Sequence, residues 1–558
     1  MAPIKNEGKL YSDSKTKAEL LNKQFKSVFT QEKDNETMPS IQGNKYPTIP
    51  NLEVTTNGVE KLLSGLNTNK ASGPDGLPNK ILKACAIELA PAVSNIFNRS
   101  LASGTLPSDW LNANVSPIFK KGNKHEASNY RPVSLTCVCC KLLEHIICRH
   151  ILKHLEKNSI LTHLQHGFRS GHSCESQLII TIHDIMKNYD AKIQTDLIIL
   201  DFSKAFDTVP HKKLLYKLEH YGINGVLLKW LSSFLMERKQ RVAVEGEYSS
   251  SVTVDSGVPQ GTVLGPLLFL IHINDLPETV SSQVRLFADD CLLYREIHSH
   301  QDQLQLQRDL ESLETWAEKW GMKFNAKKCY KMTIHRSTNP LTSTYILDNH
   351  LLEHVTENPY LGLIISENLK WTAHINKITN KATSTLGFLR RNLKHCSKTL
   401  KSTAYTSLIR SVLDYSSTVW DPYLQKDIDR LESIQRRAAR FINNDYSRTS
   451  SVTDMITKLD WKPLHERRRE NRLILMYKIV NDLIAIPAET HITKNTGKTR
   501  SSTTNKIKVY SCKTDIFKNS FIPRTILDWN NLSEKCTTAK SIEIFKEELR
   551  GQRTSRCD

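Results

Sequence analysis

Three aspartates carry the clearest chemistry in this 558-residue sequence. Asp289 and Asp290 stand together in LFADDCLLY (286–294), between two apolar runs, and Asp201 ends the segment TDLIILD (195–201) far upstream. A near-continuous apolar strand is a buried one, so its polar end emerges at a sheet edge or a cleft. The apolar runs on either side of the Asp pair predict a hairpin with both carboxylates at its turn. Neighbouring acids on a regular strand project to opposite faces, but a tight turn can aim both at one cleft. Like charges packed together raise one another's pKa unless a cation joins them. Mg²⁺ is the usual cation, taking a few carboxylates and completing its shell with water and substrate phosphates. Two such ions stabilise the attacking and leaving oxygens of phosphoryl transfer. An Asp-Asp pair alone is weaker evidence, because Asp is also a preferred turn residue.

Several elements must position these groups. QRVAVEG (240–246) and SVTVDSGV (251–258) alternate like antiparallel strands around a polar turn, and QLQLQRDLESLETWAEKWGMKF (303–324) reads as an amphipathic helix stopped by Gly321. In GVPQG (257–261) the paired glycines and proline fit a loop that lets backbone approach a ligand. Helical patterns dominate residues 50–190, broken by turn clusters such as ASGPDGLP and FKKGNKHEASNYRP, which carry Lys120, Lys121 and Arg131. Residues 1–50 predict an amphipathic helix, with Leu20, Leu21, Phe25, Val28 and Phe29 on one side, followed by a polar linker. Beyond 370 the pattern is again helical and locally very basic, as in RLESIQRRAARF and HERRRENRL, and the stretch 490–508 is polar, cationic and expected to be mobile.

Composition narrows the partners. The chain is 39% hydrophobic and 24% charged, which excludes wholesale disorder, and its length predicts three or four domain-sized units. A net charge of +19 points to a polyanion, either nucleic acid or an anionic membrane surface. No segment approaches the roughly 18 to 20 apolar residues of a membrane span, so no membrane partner is expected. The polar N-terminus lacks a secretory h-region, so an intracellular location, in nucleus or cytoplasm, is expected. The cysteine cluster Cys137, Cys139, Cys140 lacks zinc-knuckle partners, and the 12 cysteines read as buried thiols of a reducing compartment.

Taken in order, LDFSKAFDTVPH (200–211), SGVPQGTVLGPLLFLIHINDLP (256–277) and LFADDCLLY (286–294) resemble the palm motifs of reverse transcriptases, in particular those of non-LTR (LINE-type) retrotransposons of the jockey and chicken-repeat kinds. KASGPDGLPNKILK (70–83), PIFKKG…NYRPVSL (117–135) and QHGFRSGHSC (165–174) resemble the fingers motifs, and WGMKFNAKKC (320–329) and YLGLIISENLKW (360–371) the later palm and primer grip.

The resemblance implies an α+β right-hand polymerase with an antiparallel palm sheet, helical fingers and a helical thumb. Asp201, Asp289 and Asp290 match its catalytic carboxylates, with the Phe202 carbonyl as a further ligand for two Mg²⁺ ions, Mn²⁺ being a substitute. Lys120 and Arg131 match the groups that hold the triphosphate, with Lys121 competing for the role of Lys120. Gln260 and Gly261 would meet the incoming nucleotide or template, and Phe206 would lie under the sugar and reject a 2′-hydroxyl. Lys328, with Lys327 as its competitor, would protonate the departing pyrophosphate. Asp207 reads as a structural cap or turn acceptor. Implied partners are an RNA template, a DNA primer or nicked target DNA, and dNTPs. The domain expectation is an N-terminal helix and linker (1–50), fingers and the start of the palm (51–190), palm (191–370), a thumb-like region (371–480) and a basic C-terminal region (481–558). The arginine-rich helices after 370, with Trp420, Phe441, Trp461 and Tyr477, fit a thumb that tracks a sugar–phosphate backbone. Elements of this type usually carry an N-terminal endonuclease, and residues 1–50 have no room for one, so a polymerase without its own nicking activity is expected. A catalytically silent nucleic-acid-binding remnant is the alternative.

Overall fold

Gln194–Asp201 is the middle strand of a five-stranded sheet with the order Glu353–His354, Tyr330–Ile334, Gln194–Asp201, Asp290–Ile297, Gln283–Phe287. Its pairings are antiparallel except at the two-residue edge strand Glu353–His354. The computed structural model describes residues 1–32, 37–41, 43–493 and 506–554. Both faces of this sheet are covered, which is why its central strand reads as a continuous apolar run. Ile198, Leu200, Leu286, Cys291 and Leu293 enter one hydrophobic core, and Leu197, Leu292, Tyr294 and Met332 enter a second. The first core holds the apolar helix Leu264–His272 and the helix His300–Trp320, which Gly321 ends at φ 70°. The second core is built from Cys174–Asp190 and the C-terminal helices.

A second sheet stands beside the first. Asn112–Phe119 pairs antiparallel with Tyr130–Leu135 and parallel with Lys239–Val244. Helices dominate residues 51–190 as their pattern predicts, but FKKGNKHEASNYRP is the turn of a β-hairpin and not a break between helices. Ala113 and Val115 are buried at a two-residue period that becomes decisive only once a partner strand lies alongside. The helix Ser14–Lys26, capped by the Asp13 carboxylate, packs Leu21 and Phe25 onto Val115 and Val242 in a small third core.

The C-terminal region also differs from its sequence pattern. Trp420, Phe441, Trp461 and Tyr477 are all buried in the second core, so none of them faces a ligand. The run HERRRENRL lies in the helix Leu464–Val480, and two of its arginines, Arg468 and Arg472, are only 1% and 2% exposed. Both donate to Asp421, at 2.7 and 3.0 Å, and Arg472 also meets Asp528 at 2.9 Å. Arg524 reaches Asp421 at 3.3 Å, so FIPRTILDWNNL supplies both a cation and an anion to one buried network. Helices Phe521–Asn530 and Ile542–Thr554 contribute Ile526, Trp529 and Phe545 to the same core, and the stretch 494–505 lies outside the described residues. The outer face of Gln425–Asn443 still presents Arg436 and Arg437 to solvent.

The eleven described cysteines are free, and only Cys137, Cys140, Cys291, Cys329 and Cys536 are buried; Cys85 is exposed, against the expectation of uniformly buried thiols. Among the described residues no helix is long and apolar enough to cross a membrane.

Candidate active site

Asp201 and Asp290 are direct partners across the two central strands, so their side chains share one face of the sheet end. The next pair along, Leu200 and Cys291, is buried on the opposite face, so the apolar pattern of both strands pins this register. Asp289 sits in the two-residue turn between Phe287 and Asp290, the hairpin expected from the two apolar runs.

That turn is held from outside. Ala288 has φ 52°, in the left-handed region that costs a non-glycine residue energy and persists only when its surroundings impose it. The side-chain amide of Gln165 supplies the constraint: its Oε1 accepts from the Ala288 N–H at 2.9 Å and its Nε2 donates to the Ala288 carbonyl at 3.3 Å. Oε1 also accepts from the Gly167 N–H at 2.7 Å. A Cβ on Gly167 would lie 2.3 Å from the Ala288 nitrogen, so only glycine permits this approach. Gln165 and Gly167 lie in the QHGFRSGHSC block, which residue type alone did not mark as part of the site. A Gln-x-Gly before an aromatic is too common to signal a turn more than a hundred residues away.

A cleft of about 320 Å³ opens at this sheet end and brings together Asp201, Phe202, Phe206, Gln260, Asp289, Lys328, Lys120, Lys121 and Arg131. Asp290 and Gly261 are not on its lining, although each adjoins a residue that is, Asp289 and Gln260. The hairpin Asn112–Phe119/Tyr130–Leu135 carries the cations, with Ile118 opposite Arg131 and the Lys120 N–H on the Asn129 carbonyl at 2.9 Å. Both Lys120 and Lys121 therefore reach the cleft. Lys328 Nζ is 3.9 Å from Asp201 Oδ2, while Lys327 is not on the lining. The Asn325 N–H donates to the Asp201 carbonyl at 2.7 Å and ties the turn bearing Lys328 to the strand end. Phe202 stacks on Phe324 at 4.3 Å, and its bridge to Phe324 leaves its own carbonyl outside that ladder.

Phe206 is half-buried, stacked on Phe269 at 4.5 Å, with one side on the cleft. Gln260 is positioned twice: its Nε2 donates to Asp207 Oδ1 at 2.8 Å, and its carbonyl accepts from the Ser134 N–H at 2.7 Å. Asp207 thus acts as an acceptor between elements. Gly261, at φ 102°, passes so close to Ser134 that a Cβ would lie 2.7 Å from its carbonyl oxygen.

The electrostatics follow from crowding. Burial raises the Asp201 carboxyl above its usual range, opposed by Lys328 and Lys120 and reinforced by Asp289. Asp290 keeps an exposed edge, yet the protein around it, together with Asp289 and Asp201, raises it to about 6. Burial and the neighbouring Arg131 lower Lys120. Among the described residues no three His, Cys, Asp or Glu side chains lie close enough to enclose a metal unaided. The donor set is nevertheless oxygen-only and mutually repulsive, which suits Mg²⁺, an ion that retains water and substrate phosphates in its shell.

A strand-end carboxylate in register with Asp290 beside the turn acid Asp289, faced by lysines and arginine, can hold divalent cations and phosphates together. Comparison with known families agrees: residues 118–365 match the family described as "Reverse transcriptase (RNA-dependent DNA polymerase)". The chain is similar to individual proteins that come from non-LTR retrotransposons. It is 27% identical over 438 residues to the probable RNA-directed DNA polymerase from transposon BS of Drosophila melanogaster, covering 74% of this chain and 47% of that protein. It is 27% identical to the RNA-directed DNA polymerase from mobile element jockey of the same species, over 72% of this chain and 46% of that protein. With the probable polymerase from transposon X-element it shares 29% identity over 69% of this chain and 43% of that protein. The chain spans about half the length of these curated relatives.

Proposed function

We propose that the chain is an RNA-directed DNA polymerase that extends a primer 3′-hydroxyl with deoxynucleoside triphosphates. The observation that carries this reading is the register of Asp201 with Asp290, beside a turn carboxylate and across one cleft from Lys120, Arg131 and Lys328. The names of the relatives support RNA as the strand copied. The sheet around Gln194–Asp201 is the palm, the hairpin Asn112–Phe119/Tyr130–Leu135 with the helices around it the fingers, and the helices after 370 the thumb. RNA template, DNA primer or nicked target DNA, and dNTPs are the partners, met in nucleus or cytoplasm.

Asp201, Asp289, Asp290 and the Phe202 carbonyl would hold two Mg²⁺ ions, or Mn²⁺ in their place, which when bound supply Lewis-acid polarisation and neutralise phosphate charge. The 3′-oxygen of the primer bonds to the α-phosphorus, the bond to pyrophosphate breaks, and the hydroxyl proton passes to water. Arg131 grips the triphosphate through its planar fork and Lys120 as a point charge. Lys328 donates a proton to the departing pyrophosphate. Gln260, fixed by Asp207 and Ser134, contacts the nucleotide, Gly261 lets the loop close behind it, and Phe206 sets the floor under the sugar.

The test is incorporation of dTTP on poly(rA)/oligo(dT) with Mg²⁺. Wild-type synthesis that Asp289→Ala abolishes supports the reading. No wild-type synthesis, or equal synthesis by the variant, overturns it, and RNA binding without synthesis identifies a silent remnant.

A further inference from the structure

The helix Val138–Lys157 packs Leu143, Ile147, Ile151 and Leu155 into the first core. Two residues before each lies a cation or histidine: Lys141, His145, Arg149 and Lys153, with Lys157 completing the row. A two-residue offset is about 200° round a helix, so at every level this row stands opposite the core row. His145, Arg149, Lys153 and Lys157 are exposed and Lys141 is half-exposed. Like charges at four-residue spacing destabilise a helix. No member of the row makes an ion pair among the described residues. The row extends for about 24 Å at 1.5 Å per residue.

A groove of about 470 Å³ runs beside it, with His145, Arg149 and Lys153 on one wall, Lys61 on the other, and Val54 and Leu62 between them. Glu53 is its one acidic lining residue among those described. The near end of the row is tied to the loop that follows Gln260, because Glu144 in the same helix accepts from the Val263 and Leu264 N–H groups at 2.7 and 3.1 Å. Cys137, just before the helix, donates its thiol to Asp75 at 2.8 Å, and the preceding strand Tyr130–Leu135 carries Arg131 to the cleft.

We propose that this row and groove form a track for single-stranded RNA, holding the template segment that is not yet paired to the primer. The inference rests on the polymerase reading for the identity of that strand. Spaced cations follow a sugar–phosphate backbone, and the apolar groove between them accepts unstacked bases. An anionic membrane is the poorer fit, because a membrane-surface helix needs a free apolar face and this one is spent in the core.

The test compares wild type with the fourfold variant Lys141→Gln, Arg149→Gln, Lys153→Gln, Lys157→Gln. Glutamine keeps helix propensity close to that of the residues replaced, and equal melting curves check the fold. Anisotropy of a labelled single-stranded RNA is read against salt, without primer, dNTP or metal, so an inactive polymerase does not block the experiment. The expected result is at least tenfold weaker binding and a salt slope smaller by about 3, four lost contacts at about 0.7 each. Extension of a primer–template with only a few unpaired template nucleotides should stay within about twofold, while a long-overhang template loses its advantage. Unchanged RNA affinity overturns the track. So does an equal loss when Lys518, Lys535, Lys540 and Arg550 are neutralised instead, or binding of the row to phosphatidylserine vesicles but not to RNA.

Discussion

The side-chain amide of Gln165 grips the backbone of Ala288 by both its N–H and its carbonyl, at 2.9 and 3.3 Å, and so fixes the turn that carries Asp289. Ala288 is held at a positive φ that it would leave if released. In Gln165→Ala the polymerase rate should fall by about 10- to 100-fold, because a displacement near 1 Å at a reacting group has that cost. The KM for dTTP should change little, since Gln165 touches no proposed nucleotide contact. Hydrogen exchange of residues 287–290 should quicken in the variant while the C-terminal helices are unaffected. Steady-state kinetics and exchange by mass spectrometry check both.

Asp290 gives the site a pH signature. Burial and two neighbouring carboxylates raise its pKa from 3.8 to about 6. A carboxyl raised on folding favours the folded state at low pH, and that contribution disappears as pH rises through the folded value. Metal-free protein should therefore lose stability between about pH 4 and pH 6 in a way that Asp290→Asn does not. Adding Mg²⁺ should raise the Tm of wild type more at pH 7 than at pH 5. Melting curves at the two pH values, with and without millimolar Mg²⁺, decide it.

Phe206 presents a ring backed by Phe269, so it cannot retreat from a ligand above it. Phe206→Val should raise the relative use of ribonucleotides by about 10- to 100-fold, the range typical of discrimination by pocket shape. Competing rNTP and dNTP on one primer measures the ratio. An unchanged ratio would place the sugar elsewhere.

Asp421 receives Arg468, Arg472 and Arg524 in the interior of the C-terminal core. Removing it strands buried cations, at a cost of about 3 to 5 kcal/mol. Asp421→Ala should lower the unfolding midpoint sharply in a denaturant titration, whereas neutralising exposed Arg436 should leave it nearly unchanged.

The legible parts of the chain were those governed by local pattern. TDLIILD reads as a strand because both faces of that strand are covered, and the LFADDCLLY hairpin follows from two apolar runs meeting at polar residues. Gly321 stops its helix where its backbone must be left-handed. The hairpin of residues 112–135 was misread as a turn between helices, because its alternation is short and interrupted by Pro117 and Pro132, which sit opposite each other only in the folded sheet.

Side-chain type and order along the chain pointed to Asp201, Asp289 and Asp290 as acids at the ends of apolar runs, and the structure brings Asp201 into register with Asp290 beside Asp289. They could not separate cations that meet ligands from cations that meet the core. Arg468 and Arg472 look as basic as Lys120 and Arg131 in one dimension, yet the first pair is neutralised by Asp421 and Asp528 and the second lines an open cleft. Charge and hydrophobicity are properties of single residues, whereas burial and pairing depend on partners tens to hundreds of positions away. Gln165 beside Ala288 shows the same limit: the contact exists only because packing folds one loop over another.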